Sequence, residues 1–96
     1  MKVNFKQFPV YDGIRKERLV AHDVTEALGN GIYMNIPGLK AHLLAEKIFK
    51  SANEGIELDE DEVNILQSAA ELFPGVFADS IVDYLAKKEK EVHNAD

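Results

Sequence analysis

Hydrophobic and polar positions along the chain change their period once. Over residues 1–22, Val3, Phe5, Tyr11, Ile14 and Val20 stand among basic and polar positions, and Tyr11-Asp12-Gly13-Ile14 sets Asp-Gly between two runs of β-formers. Asp-Gly suits a two-residue type I′ turn, because both central residues of that turn need φ > 0. The spacing predicts a β-hairpin that pairs Tyr11 with Ile14, Phe5 with Val20 and Val3 with His22. One face then collects Val3, Phe5, Tyr11, Ile14 and Val20. The other carries Lys2, Lys6 and Arg15 together with Phe8, Val10 and Leu19. Pro9 has no N–H for a ladder bond, so its strand is expected at an edge or bulged near Gln7-Phe8. A lone hairpin is marginal in water, so its apolar face must lie on helices or on another chain.

From residue 23 the period is helical. Val24, Ala27, Leu28, Gly31 and Ile32 recur at i, i+3, i+4, i+7 and i+8 behind Asp23-Val24-Thr25-Glu26, an acidic form of the capping box. Gly29 and Gly31 weaken that helix, each by about 1 kcal/mol relative to alanine. It ends at Gly29 or runs on to Tyr33, and a neighbouring element passing close over the glycines accounts for them. Asn35-Ile36-Pro37 interrupts the chain, with Pro37 expected in the first turn of the next helix. That helix shows the stripe Ala41, Leu44, Ala45, Ile48, Phe49 and Ala52, and Asn53-Glu54-Gly55 stops it. Asp59 and Glu62 form a second capping box, and Leu58 can staple against Val63. Val63, Leu66, Ala69, Ala70 and Phe73 point inward before Pro74-Gly75, and a last helix carries Phe77, Ile81, Val82 and Leu85. The prediction is one α+β domain, a hairpin over 1–22 packed on a three- to four-helix array over 23–88, with a frayed tail over 89–96.

Composition narrows the class without naming a task. The chain has 96 residues, 46% of them hydrophobic and 29% charged, which suits a folded core and excludes disordered and membrane-spanning classes. It has no cysteine, so disulfides, thiol chemistry and thiolate-bound zinc are absent. No signal peptide is visible near Met1, and a cytoplasmic location is the default expectation.

Candidate chemistry fails site by site. A calcium loop with Gly55 at its sixth position would put Lys50 and Ala52 at ligand positions 1 and 3, which defeats it. His22, His42 and His93 are separated, with no pair at i, i+3 or i, i+4 to hold a metal. Ser51, Ser68 and Ser80 lack a nucleophile elbow, and Gly29-Asn30-Gly31 lacks the third glycine and preceding strand of a dinucleotide loop. The carboxylates of residues 54–62 are explained by helix capping. The reading is therefore non-catalytic, with no cofactor and no metal site.

Charge is informative once divided. Residues 1–22 hold five bases and two acids, a net +3, whereas residues 54–83 hold nine acids and no base. The two regions either neutralise each other as neighbours or form a dipolar surface that orients a charged partner. Lys2, Lys6, Arg15, Lys16 and Arg18 could serve a β-ribbon nucleic-acid reader, but five bases on an acidic domain make a thin footprint.

The succession of hairpin, Glu26-Ala27-Leu28-Gly29-Asn30-Gly31-Ile32-Tyr33, Leu44-Ala45-Glu46-Lys47-Ile48-Phe49 and Gly55-Ile56-Glu57-Leu58-Asp59 resembles small proteins encoded in bacterial prophages and conjugative elements. The likeness covers most of residues 1–85 and rests on structural motifs. It implies a mobile-element origin and a role beside other proteins. That family has no agreed activity, so the resemblance transfers no site residues. The expected function is a protein–protein interaction or assembly module. A partner strand or a second copy would pair with the hairpin edge, over a surface of Val3, Phe5, Tyr11, Ile14, Arg15, Lys16 and Arg18. The alternative is a small regulatory nucleic-acid binder acting through the basic hairpin.

Overall fold

Asn4 decides the path of the N-terminus. In the computed structural model, which describes the backbone of residues 1–95 and the side chains of residues 1–89, its Oδ1 accepts from the N–H groups of Lys6 and Gln7 at 2.9 and 3.2 Å. This capping closes a 3-10 turn over Phe5–Gln7 where a continuous strand was expected. Residues three apart eclipse in such a turn, so Phe5 and Phe8 face the same way and their rings stack, 6.0 Å apart and 3° from parallel. In an extended strand they would point to opposite faces. Both are fully buried.

The turn splits the expected strand in two. Strand β1 (Lys2–Val3) leaves the hairpin and pairs antiparallel with β4 (Ile56–Glu57), matching Val3 with Ile56. Gly55, at φ 81°, permits this approach, since a Cβ there would stand 2.9 Å from the carbonyl oxygen of Val3. Strands β2 (Phe8–Tyr11) and β3 (Leu19–His22) form the hairpin proper.

The hairpin register differs from the expected one. Tyr11 pairs with Leu19 rather than Ile14, and Val10 pairs with Val20. Asp12 and Gly13 both lie outside the positive-φ region, so they do not form a type I′ turn. The chain instead crosses a longer loop, closed by Asp12 N–H donating to the Arg18 carbonyl at 3.0 Å, with Lys16 at φ 56°. An odd shift in register exchanges the faces. Val20 consequently shares a face with Phe8 and Val10, while Tyr11 shares one with Pro9 and Leu19. Pairs alternate along an antiparallel ladder, so the Asp12–Arg18 bond turns the backbone of Pro9 and Tyr11 to the outer edge of β2. Pro9 thus forfeits no ladder bond, and Tyr11 N–H is left to donate to Ser80 Oγ at 2.9 Å.

Four helices complete the α+β domain. Helix α1 (Thr25–Asn35) continues through both glycines. Asp23 accepts from the backbone N–H and the hydroxyl of Thr25, which serves the helix start without a reciprocal bond from Glu26. A Cβ on Gly29 would lie 3.3 Å from the Ala45 carbonyl oxygen, and one on Gly31 would lie 2.5 Å from the ring of Phe73. Helix α2 (Leu39–Phe49) starts after Gly38 at φ 105°, so Pro37 stays outside its first turn. It buries Ala41, Leu44, Ala45 and Ile48 but leaves Phe49 exposed. Helix α3 (Glu60–Ala69) carries the full Asp59–Glu62 capping box, with Glu62 N–H bonded to Asp59 at 2.8 Å and Asp59 N–H to Glu62 at 2.9 Å.

A short turn over Ala70–Leu72 leads to α4 (Gly75–Ala95). Over the expected frayed tail, 89–96, the backbone is helical as far as Ala95, and residue 96 lies outside the described residues. Leu28, Ile32, Leu44, Ile48, Leu66, Ile81 and Leu85 converge with Phe5 and Phe8 in the core. Helix α4 packs along β2, setting Phe8 against Tyr84 at 4.7 Å and against Phe77 edge-on at 6.5 Å.

Candidate interaction surface

The residues expected to form one surface separate into two groups. Val3 and Phe5 are fully buried, the first against β4 and the second beneath the helices, so neither can meet a partner. Their assignment to an exposed hairpin face is corrected by the 3-10 turn, which turns Phe5 inward and removes Val3 from the hairpin. Ile14 lies at the loop tip and is 92% exposed. Arg15, Lys16 and Arg18 surround it, and Tyr11 lies half-buried at the loop's root.

The outer strand adds Leu19 and Val20, which the predicted surface lacked. All four residues of β3 are exposed, including Leu19 and Val20. The ladder that turns Pro9 and Tyr11 outward does the same for Leu19 and Ala21 on the opposite edge. Among the described residues, nothing pairs with that edge of β3. An exposed edge with apolar side chains is a template for another strand.

Of the five N-terminal cations, Lys6, Arg15, Lys16 and Arg18 pair with carboxylates of the same chain. Arg18 Nε lies 3.1 Å from Asp12, Lys16 Nζ lies 3.2 Å from Asp79 on α4, and Lys6 lies 3.4 Å from Asp23. The bond to Asp79 raises the Lys16 ammonium above its ordinary pKa. Tyr11 Oη donates to Asp83 at 2.8 Å, and that bond raises the phenol likewise. The acidic start of α3 is matched by α2 rather than by the hairpin. Lys40 reaches Asp59 and Asp61, and Lys47 reaches Glu62. The Glu62 backbone N–H first, and Lys40 second, hold the Asp59 carboxyl below the usual carboxylate value. Exposed pairs of this kind contribute little energy, yet they disperse the polarity that the sequence displays.

Beside the hairpin, a groove of about 230 Å³ opens between its Pro9–Tyr11–Leu19 face and the Ser80–Lys88 stretch of α4. Its walls are mainly aromatic and aliphatic, with Lys87 and Lys88 at one end and Asp83 toward Tyr11. Ser80, Asp83, Tyr84 and Lys87 recur at i, i+3, i+4 and i+7, a helical spacing that marks one flank of α4 in the sequence. A second exposed apolar area lies across α1 and α2, where Tyr33 packs on His42 at 4.7 Å and Phe49 covers Gly29.

Among the described residues, no group of three or more His, Cys, Asp or Glu side chains is placed to hold a metal, and no helix is long and apolar enough to cross a membrane. Compared with family models, curated proteins and solved structures, the chain matches none.

Proposed function

We propose that the protein is a non-catalytic interaction module that recruits an extended segment of another protein by strand addition to β3. The carrying observation is the free outer edge of β3, with Leu19 and Val20 exposed along it and Ile14 projecting at the tip. Main-chain bonds to Leu19 and Ala21 would supply the affinity of such a complex, and the alternating side chains its selectivity. A role among proteins of a phage or conjugative element, as the sequence resemblance implies, accords with this reading. Nucleic-acid binding draws less support, because Arg18, Lys16 and Lys6 are each held by a carboxylate of the same chain.

The test places a photo-reactive residue at position 14 or 20 in the source cell, with position 26 on α1 as control. Defined adducts are expected at 14 and 20. Ala21→Pro should abolish them, since it removes only an outward N–H and leaves the β2 ladder whole. Adducts of equal yield at position 26, or adducts unaffected by Ala21→Pro, would overturn the reading. Light scattering of the purified chain identifies a second copy as the partner if mass rises with concentration in the parent and not in Ala21→Pro. Binding to DNA that weakens steeply with salt would instead favour the nucleic-acid role.

A further inference from the structure

The groove beside the hairpin and the free edge of β3 share one residue, Leu19, which lines the first and belongs to the second. A strand added to β3 continues the sheet, so alternate side chains of that strand stand on the Tyr11–Leu19 face, next to the groove mouth. The groove's volume of about 230 Å³ falls below the ~300 Å³ at which pockets for whole small molecules begin. It is space for one large side chain. Pro9 and Leu19 offer aliphatic walls and Tyr11 and Tyr84 aromatic ones, with Lys16 and Lys88 Nζ each 5.7 Å from the respective ring centroid, surroundings that suit an aromatic ring.

Charge gives the occupant a direction. At the Tyr11 end, Asp83 is occupied by the phenol hydroxyl. One turn further along α4, Lys87 is exposed on the rim and enters no ion pair among the described residues. A ring seated between these ends would leave its own chain's carboxylate close to Lys87, where opposite charge favours it.

We infer that this groove is a subsite for one aromatic side chain with an adjoining carboxylate, presented by the segment that pairs with β3. The inference rests on the strand-addition reading for the source of the side chain, but the subsite itself can be examined without a partner. N-acetyl-tryptophan carries the ring and the carboxylate, N-acetyl-tryptophanamide the ring alone, and N-acetyl-aspartate carboxylates alone. Each is titrated into the isotope-labelled full chain and followed by amide and side-chain NMR.

N-acetyl-tryptophan should give saturable shifts at Tyr11, Leu19, Ser80 and Lys87. The amide should bind roughly threefold more weakly, the scale of one exposed ion pair, and N-acetyl-aspartate should not bind. Lys87→Ala should narrow the difference between the two tryptophan probes, with Lys88 left at the same end of the groove, while keeping ring binding, and Leu19→Asp should abolish both. Absence of saturation, shifts centred on Tyr33 and Phe49, or indifference to Leu19→Asp would overturn the subsite. Ala21→Pro separates the two ideas. It should lose cross-linking but leave N-acetyl-tryptophan binding intact, whereas failed cross-linking with intact probe binding in the parent chain would refute strand addition alone. Intact cross-linking without probe binding would refute the subsite alone.

Discussion

The backbone N–H of Tyr11 donates to Ser80 Oγ across 2.9 Å, and the same hydroxyl donates to the Val76 carbonyl one turn back on α4. One buried serine thus serves a strand edge and a helix together. It ties the hairpin to the body of the protein at the point where β2 would otherwise present an unpaired donor.

Ser80→Ala removes that acceptor and leaves the partly buried Tyr11 N–H without a partner. A cost of about 1–3 kcal/mol is expected, together with faster hydrogen exchange at Tyr11 and along β3. Denaturant unfolding and amide exchange check both. A loss of stability without faster hairpin exchange would assign the cost to helix packing instead.

Gly31→Ala sets a gain against a clash. Alanine improves helix propensity by about 1 kcal/mol, but the new Cβ would meet the Phe73 ring at 2.5 Å. Phe73 is partly buried against the core, and overpacking typically costs about 1–3 kcal/mol, so net destabilisation is expected. In a double-mutant cycle with Phe73→Leu the two changes should be clearly non-additive, and simple additivity would show that the ring moves aside freely.

Ile14→Ser, at the exposed loop tip, should shift stability by no more than about 0.5 kcal/mol. Phe5→Ala should cost about 3–5 kcal/mol, because it empties a fully buried site stacked on Phe8. Chemical denaturation with a common slope compares them. The reverse order would restore Phe5 to the exposed hairpin face.

The acid limb of stability should depend on Asp59. Its pKa is lowered in the fold from an ordinary 3.8, by the Glu62 N–H and then Lys40, so the unfolded chain binds the proton more readily. Its contribution is complete above 3.8 and is lost as pH falls through the depressed value. Asp59→Asn keeps an acceptor for the helix start but cannot titrate, so Tm should fall less steeply below pH 4 or so. Some slope should remain from Asp23, which the Thr25 hydroxyl and N–H hold low in the same way. Asp59→Ala should lower stability at neutral pH through loss of the cap. Equal acid slopes in parent and Asp59→Asn would remove Asp59 from the account.

The α+β class, the order of hairpin and helices, the Asp59–Glu62 capping box and the Ala41, Leu44, Ala45 and Ile48 part of the α2 stripe were legible from residue order, whereas Phe49 and Ala52 are exposed. Each depends on contacts only a few positions apart, so local periodicity and capping chemistry suffice to define it. Asn4 was a local signal too, but its capping turn was masked by the β-formers around it.

The register of the hairpin was not legible. Asp12-Gly13 is compatible with a two-residue turn, and only the docking of Phe8 into the core and of Tyr11 onto Ser80 sets the pairing of Tyr11 with Leu19. Those contacts span up to about seventy residues. The odd register shift they impose decides which side chains are buried. Local sequence therefore determined that a hairpin exists and that its apolar face must lie on helices or on another chain. Tertiary packing decided that Val3 and Phe5 belong to the core while Ile14, Leu19 and Val20 face outward, because burial of a strand face is a property of its neighbours and not of the strand.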